Sequence, residues 1–595
     1  MPGITGFITT VPRADQQAVL GRMLGCMLHE PFYKHGSLAQ KELGLGVGWV
    51  SHPGSFADCN PVWNERGDIG LIFSGDHFDD TNAPDARSLV RRYEEKGPGF
   101  FESLNGVFSG VLIDRRQSKV ILFNDRYGLG RIFFHETKDG FYFSSEAKSL
   151  LKVLPQLRQL DMASLGEFFS CGCALQNRTL FAGVSLLPGA SAWTFQPEQP
   201  VRKETYFNRE AWENQPEISA EDYYQKLDET FSRVLPRYFR GAQKVGLSLT
   251  GGLDSRMIIA CPEALPKEMP CYTFGGPYRD CADVRIARRL AQACGRSHKT
   301  IKVTSDFFAE FPALAQRTVY STDGGLDVMG AVEVFVNRFA RELAPVRMTG
   351  NYGSEILRGN VAFKPMPVNT AMFAPEFTKQ VRGAAATYAS ERQGVPTSFI
   401  AFKQVPWHHH ARLAVEQSQL MPRSPYLDNE LVALAYQAPA DLSLNKAFAH
   451  RFIESHNPAL IGIPTDRGVV GSRKANAGRL AVLRQEFLPK AEYAMDYGMP
   501  PWLAKVDRVM SAFKWEKLFL GRQKFYHFRI WYRDELAGYV KEMLLDRCTL
   551  NRPYLDGKRV EEIVTAHVSG RGNYTLEIHK LLTSELIQRH LIGME

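Results

Sequence analysis

A glycine-rich loop between a predicted strand and a predicted helix carries the clearest chemistry of this sequence. The apolar run VGLSL leads into Thr250-Gly251-Gly252-Leu253-Asp254-Ser255, and a helical pattern follows. Glycine lets the backbone turn tightly and approach an anion, and a helix N-terminus offers unpaired N–H groups. The hydroxyls of Thr250 and Ser255 suit phosphate oxygens, and the Asp254 carboxylate suits Mg²⁺. The loop predicts a phosphate site, although a plain Gly-Gly turn would also join a strand to a helix.

The elements around this loop favour a parallel sheet. After residue 217 the pattern alternates between helices such as DYYQKLDETFSRVLPRYF and short apolar strands such as MPCYTFGG. This alternation is typical of an α/β domain whose parallel sheet is covered on both faces. From about Leu427 onward the pattern is mostly helical. We therefore expect residues 218–595 to form an α/β domain with a helical C-terminal part.

The first third of the chain has a different pattern. Short segments such as IGLIFSGDHF and KVILFNDRYG are broken by Gly, Pro and Asp, which is typical of antiparallel sheets. We expect residues 1–195 to form an α+β domain built on such sheets. The polar, proline-bearing residues 196–217 show no sustained period and are predicted to be a linker.

The composition excludes several classes of protein. The 595 residues carry a formal net charge of +8 with basic and acidic residues interspersed, so we expect neither a nucleic acid nor a membrane as a partner. No apolar run reaches the roughly 18 residues of a membrane span, and the N-terminus lacks a signal-peptide pattern. The nine cysteines are scattered. We expect a cytoplasmic protein with structural thiols.

The whole chain resembles the asparagine synthetase family. The glycine-rich loop at residues 250–255, called the first loop below, resembles the family's Ser-Gly-Gly-x-Asp-Ser pyrophosphatase loop. It fits neither a Walker loop nor a dinucleotide fingerprint. The segments LNGVFSGVLIDRR and FNDRYGLGRIFFHE before it, and PRSPYLDNELVALAYQAPADL and SGRGNYTLEIHKLLTSELIQRHL after it, resemble family segments in the same order. The resemblance implies an N-terminal nucleophile-hydrolase-like antiparallel β sandwich with helices, followed by a PP-loop ATP pyrophosphatase α/β domain. It also implies ATP and Mg²⁺ as cofactors.

The N-terminal part departs from the family at its glutaminase site. The family's nucleophile is a cysteine directly after the initiator methionine, and this chain has Pro2 there. The family's glutamine-holding Asn-Gly-Glu reads Ser74, Gly75 and Asp76. The resemblance therefore implies a degenerate site that does not hydrolyse glutamine.

The same resemblance implies that two apolar residues and two loops bind ATP. Leu249 and Phe274 match the positions that bracket the adenine ring. The pyrophosphate would lie against Thr250, Gly251, Gly252, Asp254, Ser255, Thr349 and Gly350.

The second loop, RMTGNYGSEILRG, can be aligned with the family in two registers. Without a gap, Ser354 replaces the family's second metal-binding aspartate. With one extra residue after Gly350, Glu355 takes that position and would bind Mg²⁺ together with Asp254. We prefer the second register because a hard cation needs carboxylate oxygen.

Further catalytic candidates come from the resemblance. The preferred register places Tyr352 where β-lactam synthetases carry a catalytic tyrosine, but their partner glutamate reads Met421 here, and Glu416 is the nearest carboxylate. The family also uses a late lysine to steady charge at the adenylate. Arg467 is the first candidate for that role and Lys474 the second, with a solvated loop charge as the equal alternative for each.

The resemblance implies an amide ligase that forms AMP and pyrophosphate. A substrate carboxylate would attack the α-phosphorus of ATP, and ammonia or an amine would then attack the acyl-adenylate. The ammonia would be free or supplied by a separate donor protein, and a homodimer is compatible with the resemblance. Two alternatives remain open: a ligase or cyclase for a non-aspartate substrate in natural-product or polysaccharide modification, and a nucleotide-binding pseudoenzyme.

Overall fold

The computed structural model describes residues 2–9, 15–58, 60–81, 85–439, 446–465 and 520–594, together with Glu492 and Asp496. The described residues form two antiparallel sheets, followed by one parallel sheet with helices. Both sheet types were expected from the sequence patterns, so the predicted combination of α+β and α/β parts is confirmed. No helix within these residues has the length and apolar character needed to cross a membrane.

The N-terminal part is built from two six-stranded sheets in which every neighbouring pair is antiparallel. Their orders are β10-β8-β9-β1-β3-β2 and β12-β11-β7-β6-β5-β4. The strands are β1 Gly3–Thr9, β2 Lys34–Gln40, β3 Leu45–Ser51, β4 Val62–Trp63, β5 Ile69–His77, β6 Gly106–Asp114, β7 Lys119–Asn124, β8 Phe133–Thr137, β9 Gly140–Ser144, β10 Ser185–Leu186, β11 Ser191–Phe195 and β12 Arg202–Thr205.

A shared core holds these two sheets face to face. Ile4 and Val47 of the first sheet pack in one buried cluster with Ile72, Val111 and Leu122 of the second. Period-2 alternation places such residues on the inner face of each strand, which is how a β sandwich forms its core.

Strand β1 lies at the centre of the first sheet, between β3 and β9. A Cβ atom at Gly6 would lie 2.2 Å from the carbonyl oxygen of Gly46, and one at Gly3 would lie 2.4 Å from Cβ of Ser145. Glycine is therefore required at both positions by the close approach of neighbouring backbone and side chain. This packing fixes the position of Pro2 at the start of the strand.

The segment predicted as a linker contains regular structure. Strand β12 is hydrogen-bonded to β11, with Ser191 opposite Thr205, and a short helix follows at Glu210–Glu213. The second sheet thus extends into residues 196–217. All four residues of β12 are exposed, so its sequence has no apolar alternation that could have revealed an edge strand.

The second part of the chain contains a five-stranded parallel sheet of order β15-β14-β13-β16-β17. Its strands are β13 Val245–Ser248, β14 Cys271–Gly275, β15 His298–Lys302, β16 Val346–Met348 and β17 Met421–Arg423. The carboxyl ends of β13 and β16 are adjacent because these strands pair in parallel. The loops that follow them therefore meet at one edge of the sheet, the usual ligand site of an open α/β sheet.

The helices of the described residues are as follows. They are α1 Gln16–Gly25, α2 Ala86–Lys96, α3 Ala147–Val153, α4 Met162–Cys171, α5 Glu210–Glu213, α6 Ala220–Val234, α7 Asp254–Ala260, α8 Ala282–Ala293, α9 Asp306–Ser321, α10 Ala331–Leu343, α11 Gly353–Arg358, α12 Pro375–Glu391, α13 Pro396–Phe399, α14 His410–Gln419, α15 Asn429–Ala435, α16 Ala447–His456, α17 Phe528–Arg533, α18 Ala537–Leu544, α19 Arg547–Leu550, α20 Gly557–Val568 and α21 Thr575–Ile587, with a π-helix at Ile400–His409.

Asp428 ties the two parts of the chain together at the start of α15. One carboxylate oxygen accepts the Glu430 N–H at 3.0 Å as an N-cap, and the other accepts the Asn105 amide at 2.8 Å and the Tyr238 hydroxyl at 3.2 Å. An N-cap aspartate satisfies one of the free donors of a helix start. The same side chain therefore begins a helix and holds the N-terminal sandwich against it.

Candidate functional site

The first loop runs directly from the end of β13 into α7. The Thr250 N–H donates to the Ser255 hydroxyl at 3.1 Å, and the Gly252 N–H lies 3.3 Å from the Thr250 hydroxyl. The Gly251 N–H donates to the Asp283 carboxylate at 2.7 Å. The Gly251 N–H thus binds an anionic group from outside the loop, while the Thr250 and Gly252 N–H groups contact hydroxyls of the loop itself.

The second loop follows β16 and touches the first. A Cβ atom at Gly350 would lie 2.6 Å from the Ser255 nitrogen, and one at Gly353 would lie 2.7 Å from Cγ of Asp254. Tyr352 has a φ of 71°, in the left-handed region that a tyrosine rarely adopts. The contact between the two loops is therefore accompanied by backbone strain at Tyr352.

The two loops form one side of a cavity of about 1290 Å³ that includes its open mouth. Of the residues predicted from the sequence, those that line it are Leu249, Thr250, Gly252, Asp254, Ser255, Phe274, Thr349, Gly350, Tyr352 and Glu355. Gly251 is not part of the lining and instead contacts Asp283 as described above. Arg467 and Lys474 lie outside the described residues. The nucleotide-site residues predicted on separate segments are thus brought to one place.

Asp254, the first expected Mg²⁺ ligand, contacts a guanidinium. Arg358 Nη2 donates to its Oδ2 at 3.0 Å, and Nη1 lies 2.8 Å from Oδ1. Burial lowers the pKa of Arg358, but the Asp254 carboxylate outweighs it and raises the pKa above its usual value. The residues at this point therefore do not fit a divalent cation in the arrangement that the sequence suggested.

Glu355, the second expected ligand, lies in the first turn of α11. Its carboxylate accepts the Ser354 hydroxyl at 2.9 Å and lies 3.9 Å from Nε2 of His409. Ser354 and Glu355 both line the cavity, so each of the two sequence registers places its metal-loop residue in the same space. Burial lowers the pKa of His409 to about 4, which leaves it neutral at pH 7.

The far wall of the cavity contains Glu416, the carboxylate noted in the sequence, together with three charged residues that were not predicted from the sequence, Arg347, Arg412 and Glu333. Arg347 Nη1 lies 3.3 Å from the Glu416 carboxylate, and Arg412 forms an ion pair with Glu333. Arg347 also lies over the Phe274 ring at 5.1 Å. An arginine inside the apolar strand PVRM was the available signal, because a charge in a central parallel strand needs a buried partner.

Tyr352 and Glu416 both line this cavity. Burial and, secondarily, the negative charge of Glu416 raise the pKa of Tyr352. Burial also raises the pKa of Glu416, and Arg347 opposes that shift. Tyr352 is thus a neutral phenol at pH 7, and the Glu416 carboxylate, paired with Arg347, is the group of the two that can accept a proton from a bound amine.

A second cavity, of about 850 Å³ including its open mouth, contains the degenerate glutaminase positions. Pro2, Ser74, Gly75 and Asp76 line it, and it shares Thr349, Asn351, Tyr352 and Leu413 with the first cavity. Asp76 is paired with Arg423 of β17, at 3.1 Å and 3.2 Å, and that guanidinium also donates to the Tyr238 and Arg240 carbonyl oxygens. The carboxylate that replaces a glutamine-holding residue therefore joins the two parts of the chain.

His52 in this second cavity makes stability dependent on pH. Its Nε2 donates to the Gln417 carbonyl at 2.7 Å, Arg341 donates to its Nδ1 at 3.3 Å, and burial lowers its pKa to about 3. An unfolded histidine titrates near pH ~6.5. Below that pH the unfolded chain binds a proton that the folded chain does not. The free energy of unfolding is therefore expected to fall as the pH is lowered from about 6.5 toward 3, by ~1.4 kcal/mol per pH unit for this residue.

Urea unfolding of the wild type and of His52→Gln at several pH values tests this expectation. Glutamine keeps a donor for the Gln417 carbonyl but cannot be protonated, so the variant should lose stability less steeply on acidification. His35→Gln, at an exposed position of β2, is the matched control and should keep the wild-type slope. Equal slopes for the wild type and His52→Gln would contradict the assignment.

Comparison with known proteins finds two family models along the chain. The glutamine amidotransferase domain matches residues 1–207, and the asparagine synthase model matches residues 226–421. Asparagine synthetase (glutamine-hydrolyzing) 1 of Bacillus subtilis is 21% identical over 64% of this chain and 62% of its own length. Asparagine synthetase (glutamine-hydrolyzing) 2 of the same organism is 25% identical over 43% of this chain and 38% of its own length. The matched part of this chain thus spans less than two thirds of either relative.

Proposed function

The chain belongs to the asparagine synthetase family, and we propose that it is an ATP-dependent amide ligase that adenylates a carboxylate and transfers the acyl group to ammonia or an amine. One observation carries the proposal: the first and second loops and a set of buried charged side chains converge on one cavity. Loop N–H groups and hydroxyls suit the phosphates, and Leu249 and Phe274 provide apolar surface for a base.

The proposed reaction has two steps. The substrate carboxylate attacks the α-phosphorus of ATP and pyrophosphate leaves, which produces an acyl-adenylate. The amine nitrogen then attacks the acyl carbon, AMP leaves, and the amine proton passes to a base. Glu416 beside Tyr352 is the proposed acceptor of that proton, because its pKa is raised by burial and the two side chains face the same cavity.

The acyl substrate is proposed to be a carboxylate that pairs with the far wall of the cavity. Arg347 and Arg412 carry positive charge there, and each is already paired with a glutamate. The paired glutamates favour a substrate that also carries a positive group, as an α-amino acid such as aspartate does, because its α-ammonium and α-carboxylate groups could exchange with both ion pairs. A larger natural-product or polysaccharide carboxylate is the alternative substrate.

ATP–pyrophosphate exchange with a panel of carboxylates tests the proposed reaction. Aspartate should stimulate exchange above the substrate-free rate if the chain makes asparagine. Stimulation by another carboxylate alone would assign the chain to a non-aspartate ligase or cyclase. Absence of exchange with every carboxylate, together with measurable ATP binding, would support the pseudoenzyme alternative, which the Asp254–Arg358 contact also favours.

We propose that the amine does not come from glutamine hydrolysed by this chain. Pro2 offers no thiol or hydroxyl, and Asp76 is held by Arg423. Incubation of the purified protein with glutamine should therefore release no more glutamate than a heat-inactivated control. Release above that control would contradict the proposal. The second cavity, which shares Tyr352 with the first, supports entry of a small amine from that side.

A reducing compartment such as the cytoplasm is also proposed. The free cysteines of the described residues are mostly buried, for example Cys171, Cys173 and Cys271. Burial raises the pKa of the Cys171 thiol to about 11, and unreactive thiols of this kind are typical of structural cysteines.

A further inference from the structure

The contact between Arg358 and Asp254 lies where the sequence predicted a metal ion, since Asp254 was expected to bind Mg²⁺. Arg358 is the last residue of α11, and Asp254 is the first residue of α7. The two side chains are 10% and 18% exposed, so the pair is largely shielded from water. Two guanidinium nitrogens lie within 3.0 Å of the two carboxylate oxygens. Nη2 is hydrogen-bonded to Oδ2 and Nη1 makes an ion-pair contact with Oδ1, so the planar guanidinium approaches both oxygens, as the single nitrogen of a lysine would not.

The surrounding contacts fix Asp254 in this pair. The Tyr426 hydroxyl donates to the Asp254 carbonyl oxygen at 2.7 Å. The absent side chain at Gly353 leaves room for the Asp254 carboxylate, because a Cβ atom there would lie within 2.9 Å of its Oδ1. Gly353 also begins α11, so the position of the carboxylate and the direction of the helix that carries Arg358 are set together.

The local charges explain why a cation is needed here. A triphosphate in the first loop would place several negative charges beside the Asp254 carboxylate, and like charges in a partly buried site repel strongly. A divalent cation coordinated by aspartate removes this repulsion in many phosphate sites. Arg358 supplies positive charge at the same carboxylate. Among the residues that the structure describes, no group of three or more His, Cys, Asp and Glu side chains is placed to hold a metal ion.

We propose that the Arg358 guanidinium takes the place of a divalent cation at Asp254, so that this chain binds ATP without a metal ion coordinated by that carboxylate. The inference rests on the proposed function, since it requires that the cavity bind ATP. The inference also explains why the second loop can lack the family's second metal-binding aspartate. With Arg358 at Asp254, the alignment no longer requires a carboxylate in the second loop, so the reason for preferring the gapped register over the ungapped one, which places Ser354 at the metal position, no longer holds.

Calorimetric titration with α,β-methylene-ATP tests the inference on the full chain. This analogue binds but cannot be cleaved between its α and β phosphates, so the readout does not depend on ligase activity. The affinity of the wild type should change less than about threefold between a Mg²⁺ buffer and an EDTA buffer. In Arg358→Gln the Asp254 charge is uncompensated, and removal of Mg²⁺ should weaken binding by about tenfold or more, which corresponds to ~1.4 kcal/mol.

Two further variants make the result specific to this pair. Asp254→Asn combined with Arg358→Gln replaces the ion pair with two neutral amide side chains, so binding in EDTA should recover relative to Arg358→Gln. The control Arg451→Gln removes a guanidinium from an exposed pair with Glu221 and should match the wild type in both buffers. If Arg358 had only a structural role, binding of the analogue in EDTA would not recover in the double variant. The double variant also provides the test if Arg358→Gln fails to fold.

The outcomes separate this inference from the proposed function. If the wild type binds the analogue only in Mg²⁺, or loses as much affinity in EDTA as Arg358→Gln, the guanidinium does not replace the cation and the inference alone is overturned. If the wild type binds the analogue in neither buffer, the proposed function is overturned and the inference with it. Metal-independent binding that is lost in Arg358→Gln and restored in the double variant supports both.

Discussion

Replacement of Gly350 by alanine is expected to lower substrate-dependent pyrophosphate release by ~100-fold while the protein stays folded. A Cβ atom at this position would lie 2.6 Å from the Ser255 nitrogen and 3.0 Å from the Asp254 carbonyl carbon. Both are backbone atoms of the first loop and the start of α7, so the new methyl group cannot be relieved by a side-chain rotation. The two loops must separate, and the atoms that align ATP with its carboxylate partner separate with them.

The comparison variant for this experiment is Gly383→Ala. Gly383 lies inside α12, and a Cβ atom there meets nothing within 4 Å. Alanine favours a helix interior over glycine by up to about 1 kcal/mol, so this variant should be fully active and slightly more stable. Pyrophosphate release by Gly350→Ala at the wild-type rate would show that the contact between the loops is not needed for the chemistry.

The sequence predicted those parts of the site whose signal is local. The first loop could be found because glycines, hydroxyls and a carboxylate follow one another between a strand and a helix. The parallel sheet could be found because short apolar strands alternate with amphipathic helices. These local features are sufficient to bring Thr250 and Gly350 to the same edge of a sheet, since β13 and β16 pair in parallel.

The remaining parts of the site depend on contacts between distant segments. In the sequence, Arg358 is only the last residue of a short helical segment. Nothing near it indicates that Asp254, which belongs to another strand–helix unit, is its partner. The same holds for Arg347 and Glu416, which are paired across two elements. Strand β12 was missed for another reason, because an exposed edge strand requires no apolar alternation. Long-range charge pairing and edge pairing leave little trace in a single sequence.

Replacement of Lys148 by methionine is expected to destabilise the chain by about 3–5 kcal/mol. Lys148 lies on α3 of the N-terminal part, fully buried, and its ammonium group contacts the Glu146 carboxylate and lies 3.4 Å from Oδ1 of Asp323 in the second part. Burial lowers the pKa of Lys148, but these two carboxylates outweigh it and raise the pKa, so the lysine is charged at pH 7. Without it, two buried carboxylates would face each other across the junction between the two parts.

The large loss of unfolding free energy in Lys148→Met is expected because the charges are buried. Two further variants test this cause. Lys379→Met removes a lysine from an exposed pair with Glu376 on α12 and should change the free energy of unfolding by less than about 0.5 kcal/mol. Asp323→Asn in the Lys148→Met background removes one uncompensated charge, while Glu146 keeps its contact with His29 at 2.8 Å, so part of the stability should return. Urea unfolding at pH 7 measures all three variants. A loss in Lys148→Met no larger than in Lys379→Met would contradict the prediction, and would mean that water reaches the cluster or that Asp323, whose pKa is raised by burial, takes up a proton.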